Sequence, residues 1–301
     1  MIPISKPFLG KEEYHCLEEV ILSGWVTQGP KVKQFEESYA DYVGAKHACA
    51  VSNCTTALHL ALLAVGVKPG DIFLTVSHSY IATSNCIRHC GAEPVFVDIG
   101  NDNYNMCPDS LDQVITNDFE QRDGELYYKD IDNLVEVNLE SPLRHHNKKN
   151  NYGRLAGVLV VHQMGMPCDI SKLLKIANKY SLPVVEDAAC AIGSEIFLDG
   201  SWDKIGKCHG DIVCFSLHPR KVLTTGEGGM LTTNNKNYDE YFRLLRQHGM
   251  NLSDLLRHGS SKVLIEDHIT TGFNYRMTDI QAAIGIEQLK KVQTIVDERN
   301  E

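Results

Sequence analysis

From residue 47 onward the chain alternates short, wholly apolar runs with longer stretches whose apolar residues recur every three or four positions. The run HACAVSN beginning at His47 predicts a strand, TTALHLALLAVG ending at Gly66 a helix, and DIFLTVS a second strand. SYIATSNCIRHCG predicts another helix with a glycine stop and EPVFVDI another strand. After an interval, LAGVLVVHQ, DISKLLKIANKYS and LPVVEDAA read as strand, helix and strand. Alternation of this kind implies an α/β fold, a mostly parallel central sheet flanked by helices on both faces. Ahead of it, Lys11 to Leu22 and Val32 to Val43 carry helical spacing, separated by the breakers of SGWVTQGP.

Two segments depart from this rhythm. Residues 117–153 are polar, charged and largely aperiodic, and are expected to form an inserted excursion between two strands. The run RHHNKKNN within them could attract an anion, although a solvated loop accounts for it better. At the other end, MTDIQAAIGIEQLKKVQTIVDERNE predicts an amphipathic helix that runs out with the chain, so a further element is expected to follow it.

Composition narrows the function classes. The 301 residues are 43% hydrophobic and 23% charged, as in a globular protein with a substantial core. The formal charge of -10 argues against nucleic acid or an anionic membrane as partner. The first residues show neither a basic start with an apolar stretch nor a small-residue cleavage site, which suggests a cytoplasmic location. The ten cysteines include no C-x-x-C pair and read as reduced thiols. A zinc site from Cys208 and His209 lacks supporting spacing, and no metal is expected.

Ligands of such sheets gather beyond the carboxyl ends of the strands, and three strand ends carry unusual side chains. In AVSNCTTALHLAL a strand passes through Ser52, Asn53 and Cys54 into a helix starting at Thr55 or Thr56; its free N–H groups suit a phosphate, although Ser, Asn and Thr also serve as ordinary caps. In LPVVEDAACAIGS the adjacent acids Glu186 and Asp187 follow core residues directly, so one of them either meets a positive group or caps a helix. In VCFSLHPRKVLTTGEGG, Lys221 lies past a core strand and before a glycine-rich turn, where burial would free its amine as a nucleophile. An anion site, a deep carboxylate and a lysine together would suit pyridoxal 5'-phosphate, with Tyr80 as the aromatic to stack on its ring.

These stretches, with SGWVTQGPKVKQFEESYADYVGAKHACAVSNCTTALHLALLAVGVKPGD and GFNYRMTDIQAAIGIEQL, resemble the DegT/DnrJ/StrS family of pyridoxal-phosphate-dependent nucleotide-sugar aminotransferases, of the aspartate-aminotransferase fold (fold type I). The resemblance covers nearly the whole chain apart from the polar excursion. It implies that Lys221 bonds the cofactor's aldehyde and then shuttles a proton between substrate and cofactor. Asp187 would hold the pyridine nitrogen protonated, Tyr80 would stack on the ring, and Thr55, Thr56 and Ser216 would cradle the phosphate. Asn274 would reach the phosphate of a neighbouring subunit's cofactor, implying a homodimer with shared active sites. Trp25, Thr27, Gln28, His218 and Arg276 fall in regions that the family places near substrate. The implied division is an N-terminal arm and helix over 1–30, a large cofactor-binding domain over 31–245 with the insertion at 117–153, and the start of a small C-terminal domain over 246–301.

Two positions depart from the family. Cys54 stands where glycine is usual, and Cys190 where glutamine or histidine would bond the cofactor's phenolic oxygen, which a thiol does poorly. The expected activity is transfer of an amino group, with glutamate as donor, to a keto carbon of a nucleotide-linked sugar for amino-sugar or surface-polysaccharide synthesis. The rival readings are a sugar dehydratase on the same fold, which the presence of Lys221 disfavours, and a catalytically idle binding or regulatory protein.

Overall fold

A strand that is apolar on both sides must be covered on both sides, and this decides the architecture. The computed structural model describes residues 6–145, 152–251 and 267–301. Along the chain its strands are β1 (His47–Val51), β2 (Ile72–Val76), β3 (Glu93–Val97), β4 (Phe119–Arg122), β5 (Glu125–Tyr128), β6 (Leu155–Val161), β7 (Val184–Asp187), β8 (Glu195–Leu198), β9 (Ser201–Lys204), β10 (Ile212–Ser216) and β11 (Gly229–Thr233). Its helices are α1 (Lys11–Ser23), α2 (Pro30–Val43), α3 (Cys54–Ala64), α4 (Ala82–His89), α5 (Pro108–Asp118), α6 (Ile131–Val137), α7 (Ile170–Lys179), α8 (Lys236–Leu245) and α9 (Asp279–Asn300). Seven strands form the central sheet in the order β1-β11-β10-β7-β6-β2-β3. Only β11 runs against its neighbours; the other adjacent pairs are parallel.

The pleat sends alternate residues of each strand into different cores. Ile212 and Cys214 of β10 join Val185 of β7 and Phe73 of β2 under α3, α4 and α8. Val213 and Phe215 face α2 and α9 on the opposite side. Further along that opposite side, Val184, Val158, Ile72 and Leu74 pack with residues of α5 and α7.

The polar excursion is more structured than its composition suggests. It contains the β4–β5 hairpin and α6, with Phe119, Tyr127 and Leu143 buried. Asp123 and Gly124, both at positive φ, make the two-residue turn, an Asp-Gly signal that the charged surroundings masked. A second Asp-Gly pair, Asp199 and Gly200, turns the β8–β9 hairpin in the same way. Most of RHHNKKNN lies outside the described residues; of its side chains only Arg144 is described, and its Nε donates to the Val135 carbonyl at 3.2 Å. Among the described residues no helix is long and apolar enough to cross a membrane.

Candidate active site

The two adjacent acids of β7 are separated by the pleat. Glu186 turns to the α5–α7 side, where its Oε2 lies 2.9 Å from His162 Nε2 and its Oε1 accepts the Gly210 N–H at 2.8 Å. The Cys168 N–H at 3.2 Å occupies His162 Nδ1, so Nε2 carries the proton that is donated to Glu186. Asp187 turns to the α3–α4 side. Its Oδ2 accepts from the Thr83 hydroxyl at 2.9 Å and its Oδ1 from the Ala189 N–H at 3.1 Å. Burial pushes its carboxyl up from the usual range, opposed by those two bonds and by the field of Lys221. Among the described residues no lysine or arginine makes an ion pair with it.

Opposite Asp187 lies the start of α3. The helix begins at Cys54, one residue earlier than its sequence suggests, because Asn53 is the cap: its Oδ1 accepts the Thr56 N–H at 2.9 Å, and the Thr56 hydroxyl approaches the Asn53 N–H at 3.3 Å. The N–H groups of Cys54 and Thr55 find no acceptor among the described residues, so the positive end of α3 is open. Strand β11 passes close against this turn. A Cβ on Gly229 would collide with the Asn53 carbonyl, which is why a glycine stands there.

Between β10 and β11 the chain folds into a closed turn. Leu217 N–H donates to the Gly228 carbonyl at 2.9 Å, Thr225 N–H to the Leu217 carbonyl at 3.0 Å, and Lys221 N–H to the His218 carbonyl at 2.8 Å. Gly226, at φ +83, supplies the left-handed residue that this closure needs. The turn presents the half-buried Lys221, whose Nζ lies 3.0 Å from the Cys190 Sγ. Ser216, at the end of β10, shares the face of Ile212 and Cys214, the face that carries α3.

One cavity of about 800 Å3 joins these pieces. Thr55, Thr56, Tyr80, Asp187, Ser216, His218 and Lys221 all line it, and Cys190 reaches it through Lys221. Tyr80 is 80% exposed, its ring free to cover a ligand. The remaining candidates stand elsewhere in this chain. Trp25, Thr27 and Gln28 lie in the α1–α2 turn, where Trp25 Nε1 donates to the Gln28 carbonyl at 3.0 Å and the Thr27 carbonyl accepts from Asp279 N–H. Asn274 is exposed and bridges to Gln247, and Arg276 bridges to Val51 of β1. The cavity also contains residues that sequence reasoning did not single out, among them Thr83, His59, His89, Arg220 and Tyr275. A buried threonine inside a helix, or a histidine on an apolar helix face, carries no local mark that would distinguish it.

A family model described as the DegT/DnrJ/EryC1/StrS aminotransferase family matches residues 7–121 and 137–301. The chain belongs to the DegT/DnrJ/EryC1/StrS aminotransferase family. The unmatched interval falls in the β4–β5 hairpin and α6. Relatives in this family include the spore coat polysaccharide biosynthesis protein SpsC of Bacillus subtilis, 36% identical over 300 residues, covering 100% of this chain and 67% of that protein. The GDP-perosamine synthase of Caulobacter vibrioides is 36% identical over 292 residues, covering 97% of this chain and 65% of its own length. Among solved structures, the putative sugar aminotransferase Spr1654 of Streptococcus pneumoniae in its PMP form superposes with TM-score 0.80 at 26% identity, over 100% of this chain and 70% of that one. PseC of Helicobacter pylori, an aminotransferase of pseudoaminic acid biosynthesis, gives 0.74 at 27% identity, over 97% and 66%. The chain thus spans about two thirds of the length of these relatives.

Proposed function

We propose that this chain carries the pyridoxal 5'-phosphate site of a sugar aminotransferase that moves an amino group, with glutamate as donor, onto a keto carbon of a nucleotide-linked sugar. The observation that carries the reading is the convergence of three groups on one cavity: the Lys221 amine, the Asp187 carboxylate, which has no cationic partner among the described residues, and the open N-terminus of α3. Each is costly or idle alone, and each fits a different part of the same cofactor. The family, and relatives whose names refer to polysaccharide, perosamine and pseudoaminic acid, support a sugar as substrate.

When bound, the cofactor supplies an aldehyde to accept the amino group and a ring that spreads the electron pair left on the substrate carbon. The chain's own residues do the rest. The N–H groups of Cys54 and Thr55, with the helix dipole behind them and the Thr55, Thr56 and Ser216 hydroxyls nearby, bind the phosphate. Asp187, held from behind by Thr83 and Ala189, keeps a proton on the pyridine nitrogen. Tyr80, exposed at the edge of the cavity, would cover the ring face. Lys221, whose Nζ meets Cys190 Sγ at 3.0 Å and no carboxylate in ion-pair contact among the described residues, would move the proton between the substrate carbon and the cofactor in each half of the transfer. Cys190 occupies the place beside that nitrogen where the family would put an amide or imidazole, and offers it only a weak partner. Asn274 would complete the site of a second copy in a homodimer with shared active sites, and the arm, large-domain and small-domain division described above belongs to the same proposal.

Absorbance tests this directly. Purified protein mixed with pyridoxal phosphate is expected to develop the visible band of lysine-bound cofactor, and Lys221→Ala to lose it while remaining folded. The same band in Lys221→Ala would remove the assignment.

A further inference from the structure

Among the described residues Asp187 makes no ion pair with a lysine or arginine; the side chain that bonds it belongs to a short chain of hydroxyls. Thr83, 2% exposed on α4, reaches across 104 positions of sequence to Asp187 Oδ2 at 2.9 Å. Behind it, Ser79 Oγ lies 2.6 Å from Thr83 Oγ1. The direction of this chain follows from proton counting. A carboxylate can only accept, so the single Thr83 hydroxyl proton goes to Asp187, and Ser79 must then donate to Thr83. A hydroxyl that accepts one bond while donating another is polarised toward its acceptor. With Ala189 N–H on Oδ1, both carboxylate oxygens are fixed from behind, and each keeps a lone pair.

We propose that Thr83, primed by Ser79, is a positioning residue that fixes the Asp187 carboxylate in one orientation and in its charged form toward the cavity. The inference rests on the cofactor reading of the site and adds to it a role for two residues of the Ser79–Thr83 turn. The alternative sources of that stabilisation are few. The titratable groups facing Asp187 are Lys221 from the β10–β11 turn, His162 after β6, and the thiols of Cys54 on α3, Cys86 on α4 and Cys214 on β10. Burial pushes the three thiols up, so they are neutral near pH 7 and offer no charge. His162 already gives its proton to Glu186, and Lys221 is in hydrogen-bond contact with Cys190. The Thr83 hydroxyl is therefore the one side-chain donor that touches Asp187 among the described residues.

The test compares the wild-type chain with Thr83→Val, Thr83→Ser and Ser79→Ala, each first shown to be folded by circular dichroism. Cofactor affinity is read by fluorescence titration with pyridoxal phosphate from pH 5 to pH 8. Thr83→Val is expected to bind roughly tenfold more weakly or worse, the loss typical of a hydrogen bond to a charged group. Its acid limb is expected to move up by about one pH unit, the same tenfold read on the pH axis, because a carboxylate deprived of a donor takes up its proton sooner. Thr83→Ser should stay near wild type, and Ser79→Ala should lose affinity in the same direction but less. Wild-type affinity and an unmoved acid limb in Thr83→Val would overturn the proposal, as would a Thr83→Ser variant as weak as Thr83→Val, which would make the effect one of packing. Ser79→Ala indistinguishable from wild type would overturn the relay, and it decides the matter if Thr83→Val does not fold. If the wild type takes up no cofactor, the cofactor reading fails, and the positioning role is decided by the carboxyl carbon resonance of Asp187 titrated by NMR in cofactor-free protein. A midpoint raised by Thr83→Val supports it, and an unchanged midpoint overturns it.

Discussion

His59 lines the cavity, yet packing strips it of its usual charge. Its ring stands edge-on to Phe273 at 5.0 Å and to His89 at 5.9 Å, and its Nδ1 meets the Tyr275 hydroxyl at 3.2 Å. Burial first, and His89 second, push its pKa down to about 4. Between that value and about 6.5 the unfolded chain holds the proton and the folded chain does not, so stability is full above pH 6.5 and falls as the pH drops toward 4. His59→Gln, which cannot titrate, should remove a component on the order of 2 kcal/mol from the difference between urea unfolding at pH 7 and pH 4.5. An identical pH dependence in that variant would refute the assignment. Residues at this scale differ in how legible they were. Lys221 and Asp187 stand out in sequence because a charge directly after an apolar strand has to be accounted for. Thr83 and His59 do not, because nothing in a helix of ordinary composition shows that a carboxylate or a second ring will be brought to it from far along the chain.

At the scale of elements, one carboxylate ties the two ends of the described chain together. Asp279, the first residue of α9, accepts from the N–H groups of Gly29 at 2.8 Å, Lys31 at 3.1 Å and Val32 at 2.9 Å. Pro30 has no N–H to offer, so Asp279 serves every donor of α2 from its cap through Val32, at the positive end of the helix dipole. A second tie joins α9 to α1, where Glu13 meets Lys291 at 2.8 Å and Gln288 at 2.8 Å. Asp279→Ala should cost about 2–4 kcal/mol in urea denaturation, since it strips a cap and leaves buried donors unpaired, and Asp279→Asn should cost less. Equal stability of Asp279→Ala and wild type would contradict this role for Asp279. Helices α1, α2, α3, α4, α7 and α9 and most strands of the central sheet were legible because their apolar periods are clean, whereas α5, α8 and β11 were not singled out. The β4–β5 and β8–β9 hairpins were not, since short charged strands lack such a period and only their Asp-Gly turns announce them.

Across the whole molecule, α2, β1 and the end of α8 are locked by the buried Glu36, which pairs with the buried Arg246 and the partly exposed Arg243; the two guanidinium groups also bind the Ala48 and Ala50 carbonyls of β1. Burial acts against the Glu36 charge, and the two arginines outweigh it, holding its carboxyl below the usual range. The same scale carries the assembly prediction. The shared-site proposal needs the exposed Asn274 to meet a second copy of the chain, so sedimentation at micromolar concentration should give twice the monomer mass. A monomer would remove the shared-site reading. The sequence by itself determined the kinds of element, the alternation that requires a sheet covered on both faces, and the three strand ends where a lysine, a carboxylate and a helix cap were placed. Only the family resemblance pointed to Asp187; the apolar pattern alone left open which of Glu186 and Asp187 meets the cavity, because both faces of β7 are apolar. That choice came from the order of strands in the sheet and the helices laid on each face. Those contacts brought Thr83 and the start of α3 to the side of Asp187, and His162 to the side of Glu186.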